Sequence, residues 1–145
     1  MLFELLATLC AGLFAGAAIY ITFVEHPARL ECGTELAATE FGPSYRRATL
    51  MQASLAAVGL LAALTAWVRG RGVEMLIGGL LLGVVIPFTL LVILPTNKRL
   101  LDPGLDRGSA ETAVLLARWG RLHAVRSLVS ASAFMVLLWC LPERG

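Results

Sequence analysis

The run from Leu2 to Val24, LFELLATLCAGLFAGAAIYITFV, gives way at once to Glu25-His26-Pro27-Ala28-Arg29. A hydrocarbon core of about 30 Å needs roughly 20 residues at 1.5 Å rise, so the run is long enough for one transmembrane helix. A carboxylate, an imidazole, a proline and a guanidinium then crowd one membrane boundary. Taken alone, such a boundary is an interfacial anchor, with Pro27 stopping the helix, His26 capping its carbonyl end and Arg29 snorkelling. The rest of the chain raises it above that, because other polar groups fall at the same membrane face.

Composition agrees with the opening run. Of 145 residues 58% are hydrophobic and 15% charged, with a mean hydropathy of +0.79. A soluble domain carries about 25% charged residues, so this is a membrane protein of one domain, its first partner the lipid bilayer. The net charge of +2 is small and its basic residues dispersed, which excludes a nucleic-acid partner. Cys10, Cys32 and Cys140 show neither CxxC nor Cys/His spacing, so no disulfide framework and no structural zinc site is expected. The first charge is Glu4 rather than a basic residue, and the apolar run outlasts a signal peptide's; an uncleaved first helix is expected.

Three more apolar runs follow, at Ala48–Val68, Val73–Leu94 and from near Ser109 to about Cys140. Helices are expected over about 2–26, 44–68, 73–97 and 109–140, an all-α, four-helix antiparallel transmembrane bundle running up-down-up-down. Between the first two, Glu31, Glu35 and Glu40 make a polar segment that can open a short interfacial helix at Thr34. Phe41-Gly42-Pro43-Ser44 then breaks and recaps the chain. Thr8, Gly12 and Gly16 recur at four-residue spacing, as do Gly79, Gly83 and Pro87; both read as packing seams, and Pro87 as a kink.

In an up-down-up-down bundle one membrane face collects Glu25, His26, Arg29, Tyr45, Arg46, Arg47, Gln52, Asn97, Trp119, His123 and Arg126. The other keeps Glu4, Arg69, Arg71, Glu74, Glu143 and Arg144. Tyr45, Thr49 and Gln52 share one side of the second helix, and Trp119, His123, Arg126 and Ser130 form a stripe on the fourth. Ionisable groups at membrane depth are costly, and a set lining up inward reads as a site. Nine of the twelve Lys and Arg residues lie on the rich side, which places it in the cytoplasm of a bacterial inner membrane, with both termini outside.

Glu25-His26-Pro27-Ala28-Arg29, Phe41-x-Pro43-x-Tyr45-x-x-Ala48 leading to Gln52, Pro95-Thr96, and Trp119-x-x-x-His123-x-x-Arg126 together resemble the anthrone-oxygenase-like family of integral membrane proteins. The resemblance spans nearly the whole chain. It implies a four-helix membrane fold and, by its characterised fungal members, oxidation of an anthrone at its central carbon with dioxygen. Most bacterial members have no assigned activity.

An anthrone is a carbon acid whose anion reacts with oxygen without a flavin. His26 or His123 could take the proton, with Glu25 fixing the imidazole, and Arg126 or Gln52 could hold the oxyanion. Tyr45 and Trp119 could stack on the flat, hydrophobic aromatic ligand, and Asn97 joins them as a binding residue. No cofactor is expected on this reading. The rival is a metal site of His26, His123 and Glu25 for iron or copper, or a bis-histidine haem; Glu25 and His26 point about 100° apart if both are helical, which counts against it. A ligand- or quinol-binding membrane module without turnover is the third reading, and a homo-oligomer stays open.

Overall fold

A computed structural model describes residues 1–141 and builds them from four long helical rods: α1 (Leu2–Glu31), α2 (Thr34–Val68), α3 (Val73–Leu100) and α4 (Ala110–Trp139). Each is long and apolar enough to cross a membrane, the architecture of an integral membrane protein, and the described residues contain no strand. Glu143 and Arg144 lie outside the described residues. α1 packs on α2 and α4, and α3 packs on the same two, while the diagonals barely meet. The result is a square antiparallel bundle in which Thr8 of α1 donates to the Leu137 carbonyl of α4 at 3.3 Å, so those two ends share one face.

That end is packed with small residues. Ala7, Ala11, Phe14, Ala56, Ala63, Leu82 and Leu137 form one buried cluster. Lipid offers no hydrophobic drive between helices, so close backbone approach must supply the attraction. A Cβ built on Gly79 would sit 2.6 Å from the Ala63 Cβ, whereas one on Gly16 meets nothing within 4 Å. Of the two glycine stripes, therefore, the α3 seam is tight and Gly16 is idle. Glu4, also at this end, is buried and ion-paired to both Arg71 and the terminal ammonium.

The prolines behave differently from expectation. Pro27 does not stop α1. The five residues Ile21–Glu25 form a π-turn and the helix continues to Glu31. α3 repeats the device: Thr89–Ile93 is a π-turn, and Pro95 follows its last residue by two, as Pro27 follows Glu25. Proline lacks a donor and crowds the carbonyl four residues back; wider i→i+5 pairing lets the ladder slip past it. Pro87 breaks α3 at Val84, where a kink was expected. Pro43 neither breaks nor recaps the chain, since α2 begins at Thr34 and runs straight through. Ala37, Ala38 and Phe41 before it are buried on Leu116 and Trp119, and Tyr45 after it packs on the same cluster, so tertiary contacts hold both halves in line.

The connections are short. Gly33, at φ +94°, turns the chain from α1 into α2 in a conformation only glycine adopts easily. Asp102 and Asp106 accept from the amides of Gly104 and Gly108, and Ser109 caps α4 by accepting from the Thr112 amide at 3.2 Å.

Gly79→Val should lower thermal stability in detergent by about 1–3 kcal/mol through overpacking, while Gly16→Ala leaves it unchanged or raises it. Equal melting temperatures for the two variants would refute the tight-seam account.

Candidate functional site

On α4, residues three, four and seven apart share a face, which brings Trp119, His123, Arg126, Ser127 and Ser130 inward. His123 is 1% exposed, and its ring is tied at both nitrogens. Arg126 Nη2 lies 3.1 Å from Nε2. A guanidinium only donates, so Nε2 accepts and the proton sits on Nδ1. Nδ1 faces Thr22 Oγ1 at 3.0 Å, and Thr22 in turn meets Ser127 Oγ at 2.8 Å. Ser127 donates to the Ala18 carbonyl at 3.0 Å. The chain of donors therefore runs from Arg126 through His123, Thr22 and Ser127 to the α1 backbone. It fixes one neutral tautomer with Nε2 as the basic nitrogen. Thr22 lies in the α1 π-turn.

Arg126 is the centre of the site. Its guanidinium donates to Gln52 Oε1 of α2, lies 3.5 Å from Thr89 Oγ1 of α3, and sits over the Phe14 ring of α1 at 5.5 Å. Among the described residues no carboxylate pairs with it. A buried cation without a counter-ion costs several kcal/mol, so the site is left with positive charge to give.

Trp119 supplies the aromatic wall. It stacks on His123 at 4.7 Å between ring centroids, meets Phe41 edge-on at 5.2 Å, and contacts the His26 ring at 5.0 Å. Phe41 stacks in turn on Tyr45 at 5.7 Å. His26 is buried against α4, where a Cβ on Gly120 would come within 2.6 Å of its Nε2. Gly120 is thus the position that admits the imidazole.

Glu25 turns away from both histidines. Its carboxylate accepts from Arg29 and, at 2.7 Å, from Ser44 of α2; Arg29 also reaches Glu40 at 2.8 Å. This ion cluster staples α1 to α2 beside the site, and the Arg29 side chain lies 5.9 Å over Trp119.

A small cavity of about 30 Å³ lies among these groups, lined by Arg29, Ser44, Tyr45, Thr49, Gln52, Asn97, Trp119, His123 and Arg126 with Ile21, Phe41, Ala48 and Ile93. Several buried polar atoms at it have no partner: Gln52 Nε2, both amide atoms of Asn97, and Arg126 Nε. Buried polar groups are normally satisfied, and unpaired ones facing a cavity mark a place for a ligand or for water.

The expected residues therefore divide. Tyr45, Gln52, Asn97, Trp119, His123 and Arg126 meet at one cavity; His26 and Glu25 do not line it. His26 stands behind Trp119, and Glu25 serves Arg29. The expectation that Glu25 orients a histidine is corrected, because Thr22 orients His123. His26, His123 and Glu25 present no shared set of ligand atoms, and no three His, Cys, Asp or Glu side chains among the described residues do so. Thr22, Ser127, Ser44 and Arg29 are the members that sequence reasoning passed over or read otherwise. Ser127 lies four residues after His123, on the same helix face, but Thr22 meets the ring from another helix, a pairing that no local spacing announces.

The model of the family described as anthrone oxygenase matches residues 41–136. The chain belongs to that family. Over 132 residues it is 30% identical to anthrone oxygenase tpcL of Aspergillus fumigatus, covering 84% of this chain and 82% of that protein. No solved structure matches it. The matched segment contains the six cavity residues just named and begins after Thr22, Glu25 and His26.

Thr22→Val keeps the shape and deletes the hydroxyl that accepts from His123 and meets Ser127. It should cost about 1–3 kcal/mol of stability in detergent. Ser54→Ala removes an exposed hydroxyl that bonds its own helix and should cost far less. Indistinguishable melting curves would show that the donor chain does not hold the ring.

Proposed function

We propose that the protein oxidises a flat aromatic carbon acid of the anthrone type with dioxygen, His123 acting as base and Arg126 as the anion holder. The observation that carries this reading is the contact between His123 Nε2 and a buried guanidinium that has no carboxylate partner among the described residues. The relative's name, anthrone oxygenase, points to the same substrate class.

In this mechanism the anthrone oxygen first draws the Arg126 guanidinium away from His123 Nε2, which frees that nitrogen's lone pair. His123 Nε2 then removes a proton from the central methylene carbon of the anthrone, and the guanidinium holds the oxygen on which the anion's charge collects. The amides of Gln52 and Asn97, which have unpaired atoms and line the cavity, bond the same oxygen and a neighbouring hydroxyl in this reading. Trp119 and Tyr45 bound the ring planes. The carbanion gives up an electron pair to dioxygen, a carbon–oxygen bond forms, and the imidazolium returns its proton to the peroxide. Loss of the second proton from that carbon then breaks the oxygen–oxygen bond. One oxygen stays as the quinone carbonyl and the other leaves as water.

His26 has no chemical part here; it backs Trp119. The basic side of the bundle carries this site, and the positive-inside tendency supports a cytoplasmic location for it in a bacterial inner membrane.

Oxygen uptake with anthrone in detergent or nanodiscs tests the reading. His123→Ala should lower the rate by about 10²–10⁴-fold, and His26→Phe by far less. A large fall in melting temperature with unchanged rate per folded molecule for His123→Ala would rule out the base. Tight anthraquinone binding without oxygen uptake would leave a ligand-binding module instead.

A further inference from the structure

We infer that the cleft between α2 and α3 is a lateral portal, through which a flat apolar ligand passes from the bilayer to the His123 cavity, with Gln52 and Arg126 as its movable wall. The inference rests on the functional reading above for the ligand's class.

Size raises the question. A cavity of about 30 Å³ holds about two water molecules, far less than a tricyclic ring. A second cavity of about 100 Å³ opens toward lipid between α2 and α3, and Thr49, Gln52 and Arg126 line both. Side chains common to both linings lie between the two spaces, so a swing of Gln52 and Arg126 would merge them. The outer walls are apolar, with Ala53 and Ala56 on α2 and Val85, Ile86 and Leu90 on α3. That outer part of the lining suits a hydrocarbon ring, and the polar groups Gln52 and Arg126 stand at its inner end.

The backbone there is built to yield. α3 is interrupted at Val84, ahead of Pro87, and forms a π-turn from Thr89, so the outer wall spans two breaks in the regular ladder. The movable pair also keeps unpaired donors, Gln52 Nε2 and Arg126 Nε, which a ligand oxygen can take up as the wall swings.

The rival route is the wide groove between α1 and α2, about 580 Å³, which reaches the inner cavity at Ile21, Ser44 and Ala48. Its floor is the Glu25–Arg29–Ser44–Glu40 cluster. Opening it means parting Glu25 from Arg29 and leaving two opposite charges unpaired, whereas Arg126 on the other route has no carboxylate among the described residues to give up.

The test reads binding apart from turnover. With the lipid-exposed Trp67 and Trp139 changed to Phe, Trp119 is the remaining indole. Its quenching by anthraquinone, followed by stopped flow in nanodiscs, reports arrival at the cavity. Ala53→Phe fills the cleft from an exposed position and should slow association by about tenfold or more. Leu90→Ala widens the cleft and should speed it, and Ala17→Phe in the rival groove should leave it within about twofold. Melting temperatures check that each variant is folded. Unchanged association in folded Ala53→Phe, slowing by Ala17→Phe instead, or no quenching of the parent protein would overturn the portal. Slowed quenching in a protein that takes up no oxygen with anthrone would uphold the portal and defeat only the oxidation reading.

Discussion

One guanidinium reaches every rod of the bundle. Arg126 belongs to α4 and touches Phe14 of α1, Gln52 of α2 and Thr89 of α3. A buried cation must recover the hydration it gives up, and Arg126 does so with an amide, a hydroxyl, an imidazole and an aromatic face rather than with a carboxylate. Those partners are weaker than an ion pair and easier to exchange. The same residue therefore holds the bundle's centre together and stays ready to answer a negative charge that forms beside it.

Around that centre the backbone is bent to purpose. Ile21 and His26, five residues apart, are both buried, and the His26 amide donates to the Ile21 carbonyl across the π-turn. In a regular helix that spacing would rotate one of them away by well over a residue's turn. The α3 π-turn does likewise before Thr96 and Asn97, both nearly inaccessible to solvent. Pro27, which read as a helix stop, and Pro95 each follow a π-turn instead, and the polar residues beside and beyond them are buried.

This explains what could be seen in the sequence and what could not. Four spans and their antiparallel order follow from run length and hydropathy, which depend on the bilayer rather than on any contact. The α4 stripe of Trp119, His123 and Arg126 was legible because an uninterrupted helix keeps a constant period. Gln52 was legible because an amide at membrane depth needs a partner. The place of His26 was not: a residue beside a proline has no fixed phase until the π-turn is known, and its seat against Gly120 is a pairing of residues far apart in the chain. Thr22 and Ser127 were hidden for another reason. A hydroxyl in an apolar helix usually bonds its own carbonyl four residues back, so it carries no signal until a ring nitrogen is found opposite. The break expected at Phe41–Ser44 failed because burial on both sides of Pro43 outweighed the lost backbone hydrogen bond.

The two ends of the bundle treat buried charge in opposite ways, and the contrast carries the functional argument further than any single residue. At the small-residue end, Glu4 is enclosed but paired with Arg71 and the terminal ammonium. At the other end, Arg29 is likewise neutralised, by Glu25 and Glu40. Among the described residues Arg126 stands apart in having polar company without opposite charge, and it stands against an imidazole partnered at both nitrogens. Had packing been the only demand, a carboxylate in place of Gln52 would have supplied the missing counter-ion, at the distance where the amide oxygen already sits. Such a carboxylate would also have quenched the field that favours an anion in the cavity. An amide there keeps the arginine in place and leaves its charge unspent, which is what catalysis through an anionic intermediate requires.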